Sequence, residues 1–118
     1  MKEGYNFFKN SKYAFEGVLY AFKNEMAFVI ELCFVLIFSV LLIFLNLELL
    51  FKALLFSSMF LVLIVELLNS GIEKTVDLVT LEFHPLAKAA KDLASAAVFF
   101  SISNSVILWL VAFYYILK

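Results

Sequence analysis

Three long apolar runs set the pattern of the chain. Met26 to Leu47 is broken only by Glu31, Ser39 and Asn46; Leu49 to Val65 carries one charge, Lys52; Leu93 to Leu117 carries none. A helix needs about 20 apolar residues to cross the hydrocarbon layer, and in lipid its backbone groups must be satisfied internally, whereas strands would leave open edges. The runs therefore predict three transmembrane helices, over 26–47, 49–70 and 91–117, the second borrowing a flanking turn. Ahead of them, Lys9, Lys12, Glu16 and Lys23 fall within a helical sector of about 60°. Phe7, Phe8, Phe15, Val18, Leu19 and Phe22 occupy much of the remainder. Residues 1–24 thus read as an amphipathic helix lying on the membrane surface. They lack the uninterrupted apolar core and small-residue cleavage pattern of a cleaved signal.

Composition agrees with a bilayer as solvent. Of 118 residues, 65% are hydrophobic and only 16% charged, with a mean hydropathy of +1.04. A soluble chain of this length could not hide so much apolar surface. Three Gly and one Pro leave little to interrupt helices, so the expected fold is an all-α membrane protein: one domain, 1–118, with a surface helix and three spans. The cations are all Lys and the net charge is −1, which is no footprint for nucleic acid. One cysteine, Cys33, excludes an internal disulfide and a Cys-based metal site, and its apolar surroundings predict a buried, inert thiol.

Lysine also orients the chain. Lys2, Lys9, Lys12 and Lys23 precede the first span, and Lys74, Lys88 and Lys91 lie in the 66–92 connection. The positive-inside bias places both on the cytoplasmic side and the C-terminus outside, where Trp109, Tyr114 and Tyr115 suit an aromatic belt. The scarce polar residues then gather at one level. Glu66, Asn69, Glu73 and Asp77, at spacings of 3, 4 and 4, span about 80° of one helical face. Lys88, Lys91, Asp92 and Ser95 form a second polar face at the start of the third span, Glu25 opens the first, and Glu31 lies about 9 Å deeper. Ionisable groups at a membrane boundary face the bundle interior, paired or bound to ions. Several carboxylates together repel unless a proton or cation intervenes, and oxygen-only donors favour Mg²⁺. Glu73, Lys74 and Asp77 taken alone would also fit a solvated helix end.

The chain has no GxxxxGK loop, no Gly-rich kinase loop and no HRD segment. Its single histidine, His84, excludes a multi-histidine metal site, and His84-Pro85 reads as a turn. Ala87, Ala89, Ala90, Ala94, Ala96 and Ala97 give the start of the third span a small-residue surface that permits close helix approach and a multisubunit bundle.

The stripe Glu66-Leu-Leu-Asn69-Ser70-Gly71-Ile-Glu73-Lys-Thr-Val-Asp77, with Glu82-Phe83-His84 and Ala90-Lys91-Asp92-Leu-Ala-Ser95 after it, resembles the signature of the prokaryotic integral-membrane diacylglycerol kinase family. Upstream, Asn24-Glu25-Met-Ala-Phe28 with Glu31, and Tyr13-Ala-Phe-Glu-Gly17, continue the likeness over almost the whole chain. The resemblance implies a homotrimer in the bacterial inner membrane with active sites shared between subunits. It implies transfer of the γ-phosphoryl of MgATP to the primary hydroxyl of diacylglycerol, giving phosphatidic acid. Carried over, Glu66 would be the general base with Asn69 beside it, and Glu25 and Glu73 would hold Mg²⁺. Tyr13, Glu82, Phe83, His84, Lys91 and Asp92, together with Glu25 and Glu73, would contact the nucleotide. Glu31, Glu66, Ser95 and Trp109 would fall along the lipid-substrate cleft.

Three positions depart from the family's pattern. Asn6 stands where an Arg is expected, with Lys9 one turn on; a point charge would replace a bidentate fork. Gly71 replaces Ala or Ser, lowering helix propensity by about 1 kcal/mol while allowing closer packing. The stretch from Asp77 to Lys88 resembles the undecaprenol kinase branch, whereas Ser95-Ala-Ala resembles the diacylglycerol branch, so both lipids stay open. A different class, a small oligomeric ion or proton transporter, would place its site near the bilayer midplane. Apart from Glu31, these carboxylates cluster at one face, which favours the lipid kinase.

Overall fold

Caps and short links divide the chain into four helices: α1 (Phe7–Asn24), α2 (Met26–Phe44), α3 (Leu49–Val79) and α4 (Pro85–Leu117). The computed structural model describes residues 4–118, without any strand among them. The start of the predicted surface helix, with Lys2, lies outside the described residues. Asn6 caps α1 by accepting a hydrogen bond from the Lys9 amide, 3.1 Å, satisfying one of the orphan donors of the first turn. A single extended residue, Glu25, separates α1 from α2; its amide closes α1 on the Ala21 carbonyl, 2.8 Å, and its carbonyl opens α2 by accepting from the Val29 amide, 3.2 Å. At the far end of α2 the Lys52 ammonium reaches the Ile43 carbonyl, 3.4 Å, one of the acceptors a helix C-terminus leaves unpaired.

Between α3 and α4 the Thr80 hydroxyl accepts from the Glu82 amide, 3.1 Å. His84 caps α4 through Nδ1, which accepts from the Leu86 amide, 3.1 Å, with Pro85 at the first helical position, where its missing N–H costs nothing. His84-Pro85 therefore starts a helix directly.

Three of the helices, α2, α3 and α4, are long and apolar enough to cross a membrane. At 31 and 33 residues, α3 and α4 measure about 46 and 50 Å, well over the roughly 30 Å of hydrocarbon. Each outlasts the predicted span at the α3–α4 junction, because the polar stripe of α3 and the Ala- and Lys-containing start of α4 keep helical spacing after apolarity ends. Gly71, inside α3, has nothing within 4 Å of where a Cβ would stand, so it permits no close approach within the chain.

The core lies along one face of α3: Leu55, Ser58, Met59, Val62, Leu63, Glu66 and Asn69 are buried at alternating spacings of three and one before the polar end. From α2 come Phe28, Val35 and Leu42, one every seven residues, and from α4 Ala94, Ser101, Ser105, Trp109 and Ala112. Small residues on α4 let it lie close to α3, and the Ser58 and Ser105 hydroxyls hydrogen-bond across the contact at 3.0 Å. Without water between helices, such packing and polar bridging hold them together, not hydrophobic expulsion. Outward-facing Phe44, Phe99, Phe100 and Leu110 stay exposed, as lipid-solvated side chains do.

Two expectations are corrected. Trp109 is 8% exposed, its ring against Phe38 and Phe113 at centroid distances of 5.1 and 5.8 Å, so it faces the interior and leaves Tyr114 and Tyr115 outside. Cys33 is exposed, because it falls on the face of α2 opposite the heptad of buried residues. The alanine surface divides: Ala94 is buried and Ala87 and Ala90 half-buried within the chain, while Ala89, Ala96 and Ala97 remain exposed.

The α3–α4 contact should respond unequally to two substitutions. Ser58→Ala, which removes the hydroxyl pair and the bond from Ser58 to the Leu55 carbonyl at 2.7 Å but leaves the packing, should cost about 0.6 kcal/mol in reversible unfolding by SDS. Ser105→Leu should cost at least about 1–3 kcal/mol, because added methylenes force the backbones apart. Equal costs would mean the contact is not close-packed.

Candidate functional site

The buried face of α3 turns polar without losing its register. Glu66, 5% exposed, follows Val62 and Leu63 on the same stripe, and Asn69, 9% exposed, follows Glu66. The Asn69 amide donates to the Glu73 carboxylate, 3.2 Å, while its Oδ1 is buried with no hydrogen-bond partner. Glu66 lies one turn from Asn69 on the same face and within electrostatic reach of Glu73 and Glu25. Glu31, on α2, is coupled to Glu66, and one of its oxygens is likewise buried and unpaired. Glu25, Glu31, Glu66, Asn69 and Glu73 thus form one electrostatic neighbourhood built from the α1–α2 joint, α2 and α3.

A lysine belongs to the same group. Lys74 Nζ is 2.6 Å from Glu25 Oε1 and 5.8 Å from the centroid of the Tyr20 ring. It ties α3 to both α1 and the joint. Sequence reasoning treated Lys74 as part of a solvated helix end; the signal available was a lysine at the membrane level where Glu25 also lies.

Beyond this group, two ion pairs dress the α3–α4 junction: Lys91 with Asp77 at 2.7 Å and Lys88 with Asp92 at 2.5 Å. They flank a cavity of about 230 Å³ whose lining includes Glu82, Phe83, His84, Lys88, Lys91 and Asp92. A larger cavity of about 630 Å³, mostly apolar, opens between α2, α3 and α4 and is lined by Glu31, Phe34, Phe38, Met59, Trp109 and Phe113, among others. The smaller cavity is lined largely by charged and polar side chains, the larger almost wholly by apolar ones. Glu31 is the one carboxylate on the apolar cavity. Phe34 and Phe38 were not singled out from sequence, although their spacing of four beside Glu31 marks one helical face.

Tyr13 is exposed on α1 and Ser95 is exposed on α4; neither lines a cavity within the chain. Among the described residues no group of three His, Cys, Asp or Glu side chains forms a metal cage. Mg²⁺ does not require one, since it commonly takes one or two carboxylates and completes its shell with phosphates and water. Glu25, Glu73 and the orphaned Asn69 Oδ1 are hard oxygen donors, so this set fits Mg²⁺ in that mode.

Comparison with known proteins follows the same lines. The family described as prokaryotic diacylglycerol kinase matches residues 12–113. A diacylglycerol kinase of Escherichia coli (strain K12) is 43% identical over 101 residues, covering 86% of this chain and 83% of the relative. Diacylglycerol kinases of Pseudomonas aeruginosa and Helicobacter pylori are each 41% identical; the first match covers 82% of this chain and 79% of the relative, the second 86% and 80%.

The apolar cavity can be probed through Trp109, the only tryptophan of the chain. A brominated long-chain alcohol should quench its fluorescence saturably, and Ile102→Phe, which narrows the cavity, should weaken that binding several-fold. Quenching that rises linearly without saturation, or that ignores Ile102→Phe, would mean bulk lipid contact instead.

Proposed function

The chain belongs to the prokaryotic diacylglycerol kinase family, and from that premise we propose that it transfers the γ-phosphoryl of ATP to the primary hydroxyl of diacylglycerol. The product is phosphatidic acid, formed at the cytoplasmic interface of the bacterial inner membrane. The observation that carries this reading is the continuity of the α3 stripe, which runs from the wall of an apolar cavity at Met59 and Val62 into Glu66, Asn69 and Glu73. A lipid held by its chains in that cavity would bring its hydroxyl to the carboxylates without leaving the membrane.

The residues divide the work by position. Glu66, one turn beyond the Val62 wall of the cavity on the same stripe, accepts the proton of the attacking hydroxyl. Asn69 holds Glu73 through its amide and keeps Glu66 oriented. Glu25 and Glu73 would hold Mg²⁺, which when bound neutralises phosphate charge in a transfer that needs positioning and charge compensation above covalent help. Glu82, Phe83, His84, Lys91 and Asp92, around the smaller cavity, bind the nucleotide with Tyr13, and Lys9 supplies a point charge in place of the family's Arg. Glu31 and Trp109 line the lipid cleft. Tyr13 and Ser95, exposed within one chain, complete sites shared between the subunits of a homotrimer. The N-terminus and the α3–α4 junction face the cytoplasm, with α1 on the membrane surface. Undecaprenol is the alternative acceptor, on the strength of the Asp77–Lys88 stretch; its hydroxyl demands the same chemistry.

Purified protein in mixed micelles with MgATP should phosphorylate diacylglycerol, and undecaprenol more slowly. A faster rate with undecaprenol would reverse the lipid assignment, and no lipid-dependent product with either would overturn the kinase reading.

Glu66→Gln keeps the shape and hydrogen bonding of the side chain but removes its basicity. It should lower kcat by about 10²-fold or more, while MgATP binding, measured calorimetrically, stays near wild type. Normal turnover, or loss of nucleotide binding, would take the base role from Glu66.

A further inference from the structure

Glu25 is held more firmly than any other carboxylate of the group. It is the whole joint between α1 and α2, with both backbone groups engaged by neighbouring helices, and its side chain is only 16% exposed. A carboxylate so withdrawn from water, with Glu66 in electrostatic reach, needs a positive partner close at hand. Lys74 provides it. Its ammonium is 2.6 Å from Oε1, the range of a strong charge-assisted hydrogen bond, although Glu73 stands next to it in sequence.

We propose that Lys74 is a built-in counter-ion that holds the Glu25 carboxylate and must be displaced when a divalent cation binds there. The inference rests on the reading of Glu25 as a metal ligand. An ammonium and a divalent cation cannot both sit against the same carboxylate oxygen at contact distance without strong repulsion. Two features make the exchange feasible. The lysine stem is flexible and its head, on a side chain 49% exposed, can withdraw into water; the Tyr20 ring it already overlies at 5.8 Å can keep a weak hold on it once the carboxylate is taken. Lys74 thus acts through Glu25, as a positioning residue: it prevents the unloaded carboxylates from repelling one another and raises the cation concentration needed to load the site.

The choice of lysine follows from this role. An arginine at the same place would grip the carboxylate with two parallel N–H donors and give it up less readily. A neutral side chain of similar length would leave Glu25 free for the cation but without a partner beforehand. The two substitutions should therefore move metal affinity in opposite directions.

The test is Mn²⁺ binding to the protein in phosphatidylcholine nanodiscs without nucleotide, read from the electron paramagnetic resonance of free Mn²⁺. Wild type should show a site that Glu25→Ala abolishes. Lys74→Met should lower its Kd by about fivefold, the scale of one partly exposed ion pair, and Lys74→Arg should raise it. Lys23→Met, which removes a lysine of α1 two positions from Glu25 in sequence while leaving its Lys74 pair intact, should leave Kd within about twofold. An equal gain from Lys23→Met would mean a general field effect and overturn the proposal. So would a Kd unchanged or raised in Lys74→Met while the Glu25-dependent site persists. A titration indifferent to Glu25→Ala would remove Glu25 as a metal ligand, and the role of Lys74 with it.

Discussion

Everything in this molecule hangs on one helical stripe that does not change register when its chemistry changes. Leu55, Met59 and Val62 pack as an ordinary membrane core, and the next two turns of the same face deliver Glu66 and then Asn69. In lipid, an ionisable group on an outward face would be costly, so the only tolerable place for these side chains is the interior that the apolar part of the stripe has already defined. The packing of α3 on α4, close because Ser101, Ser105 and Ala112 are small, fixes that interior. The site is thus an extension of the core and inherits its rigidity.

A second constraint acts at Glu25. One extended residue between two helices leaves no slack, so the direction of α1 and the place of the carboxylate are set together. The Ala21 and Phe28 side chains on either side are both buried, which anchors the joint by packing as well as by its backbone bonds. Side chains on helix ends and joints of this kind are positioned more tightly than those on loops, because moving them means moving a helix.

Much of this was legible in the sequence, and the limits of legibility have physical causes. Three apolar runs gave three helices, because a bilayer imposes a length and forbids open backbone. Their ends were misjudged at the α3–α4 junction because apolarity marks the membrane and not the helix. Asp77 and Lys88 continue the helical spacing in water, and the true stop signals are Thr80 and the His84-Pro85 cap. The convergence of Glu25, Glu31, Glu66, Asn69 and Glu73 was legible because charges are rare and topology puts helix ends at one level. Which partner each would take was not. Lys74 could have paired within its own helix, and only the three-dimensional joint shows that it reaches Glu25. Trp109 illustrates the opposite limit: aromatic residues near a span end suit both an interfacial belt and a core, and the rings of Phe38 and Phe113 decide for the core.

The arrangement also bears on how a water-soluble donor and a membrane-bound acceptor can meet. Seven residues of α3 separate Glu66 from Glu73, about 10 Å along the axis, roughly the depth over which a bilayer passes from headgroups to hydrocarbon. On the proposed reading, a single rigid helix would present one carboxylate to the lipid and another to the nucleotide, with Asn69 between them bonded to Glu73. Neither reactant has to cross the interface, and no domain has to close over them. The proposed transfer would then need only side chains to move at that boundary, without a loop of the GxxxxGK or Gly-rich kinase type.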